Sequence, residues 1–270
     1  MRPDQFTFMR GFLKERSGLV LGDDKAYLLE SRLTPLARKR GLPDLESLIA
    51  EVQKGGDAAL VVAVTEAMTT NESFFFRDQK PFDLFKDTVI PHLAQTRGGA
   101  KSFRVWSAAA SSGQEPYSIA MLLKENALKF PGWSHEIVGT DLSSAIIAKA
   151  EKGLYSQFEV QRGMPIQMLV KYFDKTGDQW QIKPDLRSMV KYKVLNLLHD
   201  LASLGRFDVV FCRNVLIYFD QPTKKKVLEN IVKLMPKDGF LFLGGAETVL
   251  GITDAFKPVP GLRGIYKVAE

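Results

Sequence analysis

Apolar positions in the first seventy residues recur at helical spacing. Phe6, Phe8, Phe12 and Leu13 approximate a stripe on a helix that starts at Asp4 and stops at Gly18. A second helix starts at Asp23 or Asp24 and carries Tyr27, Leu28, Leu29 and Leu33. Pro35 is expected to kink or divide it, because proline lacks a backbone donor and clashes with the preceding turn. Gly41 and Pro43 end it. Asp44 caps a third helix through Leu45, Leu48, Ile49 and Val52, closed by Gly55 and Gly56. A fourth covers about 57–68, and no strand is needed in this part.

Beyond residue 100 the pattern changes to short apolar runs alternating with helical segments. The runs are Phe103 to Trp106, Glu136 to Gly139, Phe207 to Cys212, Phe240 to Leu243 and Ile265 to Val268; the helical segments lie at about 114–129, 142–151 and 221–235. Buried-type strands alternating with helices predict an α/β fold, a mostly parallel sheet covered on both faces. From about 172 to 195 the rhythm breaks. Trp180 and Ile182, then Met189, Tyr192 and Val194, predict a small basic hairpin or subdomain inserted before the next strand.

Composition narrows the class. A length of 270 residues suits one large domain or two modest ones, and 45% hydrophobic with 25% charged residues is ordinary for a globular chain, which argues against disorder. The lone Cys212 cannot form an internal disulfide, so a reducing compartment is expected. The longest apolar runs, such as Ala59 to Val64, are far too short to span a bilayer, and Asp4 and Gln5 occupy the place of a signal peptide's apolar stretch. A cytoplasmic protein is expected. His92, His135 and His199 are scattered, so no metal site is expected. The net charge of +6 fits an acidic partner, a nucleic acid or neither. Residues 1–70 are neutral overall, with ten basic and ten acidic side chains, yet Arg32, Arg38, Lys39 and Arg40 cluster there. That cluster reads equally as a docking face or a solvated helix face.

Ligands of open α/β sheets bind beyond the carboxyl ends of the strands. Three segments sit at such ends. In Trp106 to Tyr117, a run of small residues through Gly113 lets a backbone approach closely before a helix N-terminus; it is not GxGxxG. Glu115 in the first turn favours a cationic ligand over phosphate. An ordinary tight turn fits the segment almost as well. Asp141, ending the second strand, can accept both ribose hydroxyls of an adenosine ligand or cap the next helix. The third segment, Phe211 to Phe219, leaves the fourth strand with Arg213, Asn214 and Tyr218; within it Cys212 reads as a small buried hydrophobe. Together these describe a pocket for adenosine without phosphates, which S-adenosylmethionine fits.

Ahead of the sheet, Thr69 to Asp78 holds three adjacent phenylalanines that cannot all face one core from a regular element. It reads either as a packing wedge with Arg77 paired to Asp78, or as polar groups and an arginine held over the cofactor.

Three motifs carry a resemblance. Thr70-Asn-Glu-Ser-Phe-Phe-Phe-Arg-Asp78, Trp106-Ser-Ala-Ala-Ala-Ser-Ser-Gly-Gln-Glu-Pro-Tyr-Ser118 and Cys212-Arg-Asn-Val-Leu-Ile-Tyr-Phe-Asp220 resemble the chemotaxis receptor glutamate methyltransferases, the CheR family, over almost the whole chain. The resemblance implies an all-α N-terminal domain (1–70) that docks the receptor. It also implies a Rossmann-like class I methyltransferase domain (71–270) with the small antiparallel β insertion at about 172–195. The implied activity is transfer of the S-adenosylmethionine methyl group to glutamate carboxylates in the cytoplasmic methylation region of bacterial chemoreceptors. The products are glutamate 5-O-methyl esters and S-adenosylhomocysteine. By position, the resemblance assigns cofactor contacts to Asn71, Ser73, Arg77, Glu115, Asp141, Asn196, Leu197, Arg213 and Asn214. Arg77 and Tyr218 would flank the methyl group. The basic cluster Arg32, Arg38, Lys39 and Arg40 is the candidate docking face.

Two departures stand out: Pro35 interrupts a helix usually continuous in the family, and the short insertion weighs against docking of a receptor's C-terminal pentapeptide. A glutamate, with a reference pKa of about 4.3, is already a nucleophile at neutral pH, so no general base is needed. The alternatives are a methyltransferase acting on nucleic acid and a non-catalytic adaptor. Against the first, the chain lacks an Asn/Asp-Pro-Pro-aromatic tetrapeptide after the fourth strand.

Overall fold

The computed structural model describes residues 1–269. They form two compact units: Met1–Thr70 with Tyr218–Thr223, and Asn71–Ile217 with the chain from Lys224 onward.

The first unit is helical: α1 (Pro3–Ser17), α2 (Ala26–Lys39), α3 (Leu45–Gln53) and α4 (Ala58–Ala67). Gly18, at φ 78°, terminates α1, and the Asp44 carboxylate accepts the Ser47 N–H at 2.7 Å to start α3. The buried stripe of α1 is Gln5, Met9 and Leu13, at i, i+4 and i+8, rather than the phenylalanines. Phe6, Phe8 and Phe12 are half-buried and pack against the flanks of the same core instead of forming its centre. Met9, Leu13, Leu29, Leu33, Ile49 and Val64 close that core.

Pro35 does not divide α2, which runs through it. Ser31, whose carbonyl Pro35 cannot serve, and Pro35 itself lie on the exposed face, where the freed oxygen is open to solvent. The basic cluster on this helix is not uniform. Arg32 donates to the carbonyls of Met68 (2.6 Å) and Thr69 (3.1 Å) and to Thr70 Oγ1, fastening the end of the unit. Arg40 pairs with Asp57 at 3.3 Å, while Arg38 and Lys39 are exposed. Residues 218–223 also belong here. The Val20 N–H donates to the Tyr218 carbonyl at 2.9 Å, and Lys14 pairs with Asp220 at 2.7 Å.

The second unit opens with α5 (Lys80–Leu84), a π-helical turn at Phe85–Val89 and α6 (Ile90–Thr96). There follow β1 (Ser102–Ala108), α7 (Gln114–Glu125), β2 (Ser134–Asp141), α8 (Ser144–Lys152), β3 (Leu154–Ser156), α9 (Gln157–Gln161) and α10 (Ile166–Tyr172). Next come β4 (Phe173–Thr176), β5 (Gln179–Ile182), α11 (Pro184–Arg187), β6 (Val190–Val194) and β7 (Val209–Cys212). The chain closes with α12 (Gln221–Val232), β8 (Phe240–Leu243), β9 (Phe256–Pro258) and β10 (Ile265–Val268). The main sheet has the order β6-β2-β1-β7-β8-β10-β9, parallel from β6 to β8, with β10 antiparallel to β8 and to β9. Strand order reverses at β1. This is a Rossmann-like α/β fold.

The insertion differs from its expected bounds of 172–195. A three-stranded antiparallel sheet, β3-β5-β4, draws its first strand from upstream, at Leu154–Ser156. Residues 190–194 leave it and pair with β2 in the main sheet. Alternating burial with lysines between apolar residues made β6 resemble a hairpin arm. It is an edge strand of the large sheet, where one free side accommodates Lys191 and Lys193.

Strands buried on both faces explain the continuous apolar runs. Phe211 of β7 stacks on Phe242 of β8 with centroids 4.3 Å apart, and Phe85 packs edge-on to both. Each such ring contributes about 1.5–3 kcal/mol by burial.

At the opposite, N-terminal edge of the sheet sits an ionic cluster. Arg97 Nε donates to Asp208 Oδ1 at 2.7 Å, and its two terminal nitrogens donate to both Asp238 oxygens at 2.7 Å. The Arg97 guanidinium pulls the Asp238 carboxyl down to about 2. A carboxyl whose folded pKa lies below its unfolded value stabilises above about pH 4, and loses that contribution as pH falls towards 2. Asp238→Asn should therefore cost about 1 kcal/mol at neutral pH, a discount for its partial exposure included. Thermal unfolding from pH 6 to pH 2 should show the gap between wild type and variant closing at the acid end. A gap independent of pH would contradict this.

Candidate active site

The candidate residues of the second unit converge at the carboxyl ends of β1, β2, β6 and β7, the edge where strand order reverses. The turn after β1 is built for close approach. Ala109, Ser111 and Gly113 all take positive φ (57°, 51° and 92°), and α7 begins directly after Gly113. A Cβ on Gly113 would lie 2.6 Å from the Tyr192 hydroxyl oxygen, so only glycine is accommodated.

Asp141 is not a helix cap; Ser143 caps α8, accepting the Ile146 N–H at 3.3 Å. Instead the buried Asp141 carboxylate bridges two turns, accepting the N–H of Ser111 at 2.9 Å and of Ser143 at 3.0 Å. Asn196 and Leu197 follow β6, and the Leu195 N–H donates to the Asp141 carbonyl at 2.8 Å, so this pair is registered against Asp141. The Asn196 side-chain oxygen accepts the Leu198 N–H at 3.0 Å.

Glu115 is not an open acidic group. Its carboxylate accepts from Ser107 Oγ at 2.8 Å and from the Arg213 guanidinium at 2.8 Å. Arg213 is itself 1% exposed, and it also donates to Asp78 Oδ2 (2.8 Å) and to the Arg77 carbonyl (2.9 Å). One arginine thus neutralises two carboxylates, as buried charge requires, and ties the 71–78 segment to the end of β7. Asp78 pairs with Arg213, not with Arg77.

The aromatic segment folds as turns. Phe76, Asp78 and Gln79 take positive φ, which lets Phe75 and Phe76 both enter the core. Phe74 stays half-buried, with Arg77 and Arg162 over its ring at 5.4 and 4.2 Å. Arg77 donates to the Glu72 carbonyl at 2.9 Å and makes no ion pair among the described residues. Asn71 is held by its carbonyl, which accepts from Ser111 Oγ at 3.1 Å; Ser73 lies half-buried on the same segment. Tyr218 and the basic residues 32–40 belong to the helical unit.

Cys212 is fully buried, and burial pushes its thiol well above the usual range, so it is no nucleophile. Among the described residues no His, Cys, Asp and Glu grouping could hold a metal ion, and no helix is long and apolar enough to cross a membrane.

Reading by motif missed Glu247. Its carboxylate accepts four backbone N–H groups: Gly244 and Asn214 on one oxygen (2.7 and 2.8 Å), Val215 and Ile217 on the other (2.9 and 3.2 Å). The available signal was an acidic residue just past the end of β8, the same logic that singled out Asp141.

These groups suit S-adenosylmethionine. The turn is small and offers a helix N-terminus, Glu115 and Asp141 supply acceptors, and the buried Arg213 Nε is a donor without a hydrogen-bond partner among the described residues. A donor in that state fits a bound carboxylate.

Comparison with known proteins agrees. Residues 71–265 match the CheR methyltransferase, SAM binding domain, and residues 4–69 match the CheR methyltransferase, all-alpha domain. The chemotaxis protein methyltransferase Cher2 of Pseudomonas putida is 41% identical over 98% of both chains. Chemotaxis protein methyltransferase 1 of Pseudomonas aeruginosa is 42% identical over 98% of this chain and 97% of its own. The Escherichia coli chemotaxis protein methyltransferase is 36% identical, covering 90% of this chain and 83% of its own. Fold, cofactor cradle and relatedness over nearly the full length lead to one conclusion: the chain belongs to the CheR family of S-adenosylmethionine-dependent chemotaxis methyltransferases.

Proposed function

We propose that the protein is a cytoplasmic protein-glutamate O-methyltransferase. It esterifies glutamate side chains in the cytoplasmic methylation region of bacterial chemoreceptors. The observation that carries this reading is Arg77: a guanidinium on the site's own segment that donates to one backbone carbonyl and, among the described residues, forms no ion pair, its charge acting on the Glu72 carboxylate only behind that of Arg162. It is equipped to receive an incoming carboxylate.

S-adenosylmethionine, when bound, supplies an electrophilic methyl group on a sulfonium. The candidate residues to hold it are Asn71, Ser73, Glu115, Asp141, Asn196, Leu197, Arg213 and Asn214. Arg77 orients the acceptor glutamate so that one oxygen is aimed in line, and the Tyr218 hydroxyl steadies the other. A glutamate ionised at neutral pH needs no base, so placement and exclusion of water are the chain's contribution. Arg38 and Lys39, exposed on α2, are the available parts of the docking cluster for an acidic receptor face. Arg32 serves its own domain.

Tyr218→Phe removes one hydrogen bond to a charged group, which is about 10–100-fold in turnover. Binding of S-adenosylhomocysteine should change little, and equal losses in both would contradict the role. The function itself is tested by incubating the protein with S-adenosylmethionine and a receptor signalling fragment, then mapping the added methyl by tandem mass spectrometry. Methyl on glutamate is expected. Methyl on lysine, or on added nucleic acid instead of the fragment, would overturn it.

A further inference from the structure

Glu247 is a buried carboxylate with no cationic partner among the described residues, held by backbone N–H groups alone. Three of its four donors, Asn214, Val215 and Ile217, lie in the loop leaving β7. The fourth, Gly244, follows β8. The carboxylate therefore staples the exits of two adjacent parallel strands. Burying an ionised group is costly unless its acceptor sites are filled. Here both oxygens are filled by the loop whose shape is at issue.

That loop is not one the chain adopts unaided. Asn214 sits at φ 59°, in the left-handed region that a non-glycine residue occupies at a cost. Space around the staple is also closed. A Cβ on Gly244 would stand 2.7 Å from Glu247 Oε2, 2.8 Å from Asn214 Nδ2 and 3.0 Å from Asn214 N.

Resting on the functional reading above, we infer that Glu247 is a positioning residue for cofactor binding. By accepting the three N–H groups it fixes Asn214 in its left-handed conformation, and so aims Asn214 and the preceding Arg213 at the ligand. It touches neither cofactor nor substrate; its effect runs through the loop. No other acceptor reproduces it. Glutamine offers one oxygen, and its NH2 would face two N–H donors; alanine leaves all four amides unfilled in a confined space.

The test uses the full chain and S-adenosylhomocysteine as the probe, followed by isothermal titration calorimetry. Glu247→Gln should raise Kd about tenfold or more, because an orienting loop that samples other conformations binds in proportion to its competent fraction. Amide hydrogen exchange at Asn214, Val215 and Ile217 should accelerate in parallel. Asp238→Asn, destabilised at the far edge of the sheet, is the control: a lowered Tm with Kd unchanged. If Glu247→Gln fails to fold, Gly244→Ala, which crowds the same staple, should show the same weakened binding and faster exchange. A folded Glu247→Gln or Gly244→Ala that binds like wild type overturns the positioning role. A wild-type protein that does not bind the probe overturns the functional reading itself, so the two failures are distinguishable.

Discussion

Arg213→Ala is expected to destabilise the protein by about 3–5 kcal/mol and to abolish measurable binding of S-adenosylhomocysteine. The magnitude follows from what the substitution leaves behind. Glu115, buried, keeps only Ser107 Oγ as a partner, and Asp78 loses its guanidinium. Breaking one side of a buried pair strands the other charge, which costs more than the pair was worth. Arg213→Lys should fare only slightly better. A single ammonium cannot span the Glu115 and Asp78 carboxylates and the Arg77 carbonyl in the planar arrangement a guanidinium provides. Substituting Glu115 by glutamine in the alanine background should recover part of the stability, since the stranded charge is gone. Denaturant unfolding of the four proteins measures this. If Arg213→Ala unfolds like wild type, the cluster is not the pin described here.

Arg77→Ala should do the opposite: leave stability within about 0.5 kcal/mol and lower kcat about 10²–10³-fold. The side chain is half-buried, its hydrogen bond among the described residues goes to the Glu72 backbone carbonyl, and the exposed Glu72 carboxylate has Arg162 as its main partner. On the proposed function, its loss removes a substrate contact without stranding a buried partner. Arg77→Lys should recover little, because orienting a carboxylate calls for the two-pronged guanidinium. Steady-state kinetics with a receptor fragment, alongside denaturant unfolding, separates the effects. A large stability loss with near-normal kcat would make Arg77 a structural residue.

The contrast between these two arginines shows what could be read from sequence. Both lie in motifs that carry the family resemblance. Only one is buried in a charge cluster, and its partners stand 98 and 135 positions away in the chain. Local pattern finds the strands because their apolar runs reflect burial on both faces. It singles out Asp141 as an acidic residue at a strand end, and the structure shows its carboxylate bridging the turns after β1 and β2. It does not reveal which charges meet across the sheet, so Glu115 read as an open anion and Asp78 as a partner for Arg77.

The same limit explains the other differences. Edge strand β6 alternates like a hairpin arm, since one free side permits lysines. Its true partner, β2, lies more than forty residues upstream. Arg32 read as part of a docking face although its guanidinium is engaged by three groups at the end of its own domain. Pro35 read as a break, but a proline on the exposed face of a helix disturbs only a carbonyl that water can satisfy. Glu247 carries no periodic signal at all; its significance lies wholly in four amides that surround it.

The central claim, that the acceptor is a carboxylate, is tested most directly by the chemistry of the product. A receptor signalling fragment is labelled with S-adenosylmethionine carrying a radioactive methyl group, separated from free cofactor, and exposed to mild alkali. The account predicts that the label leaves the protein as volatile methanol, because a methyl ester is hydrolysed there while a methyl on nitrogen is not. Label that stays on the fragment through alkali would contradict it.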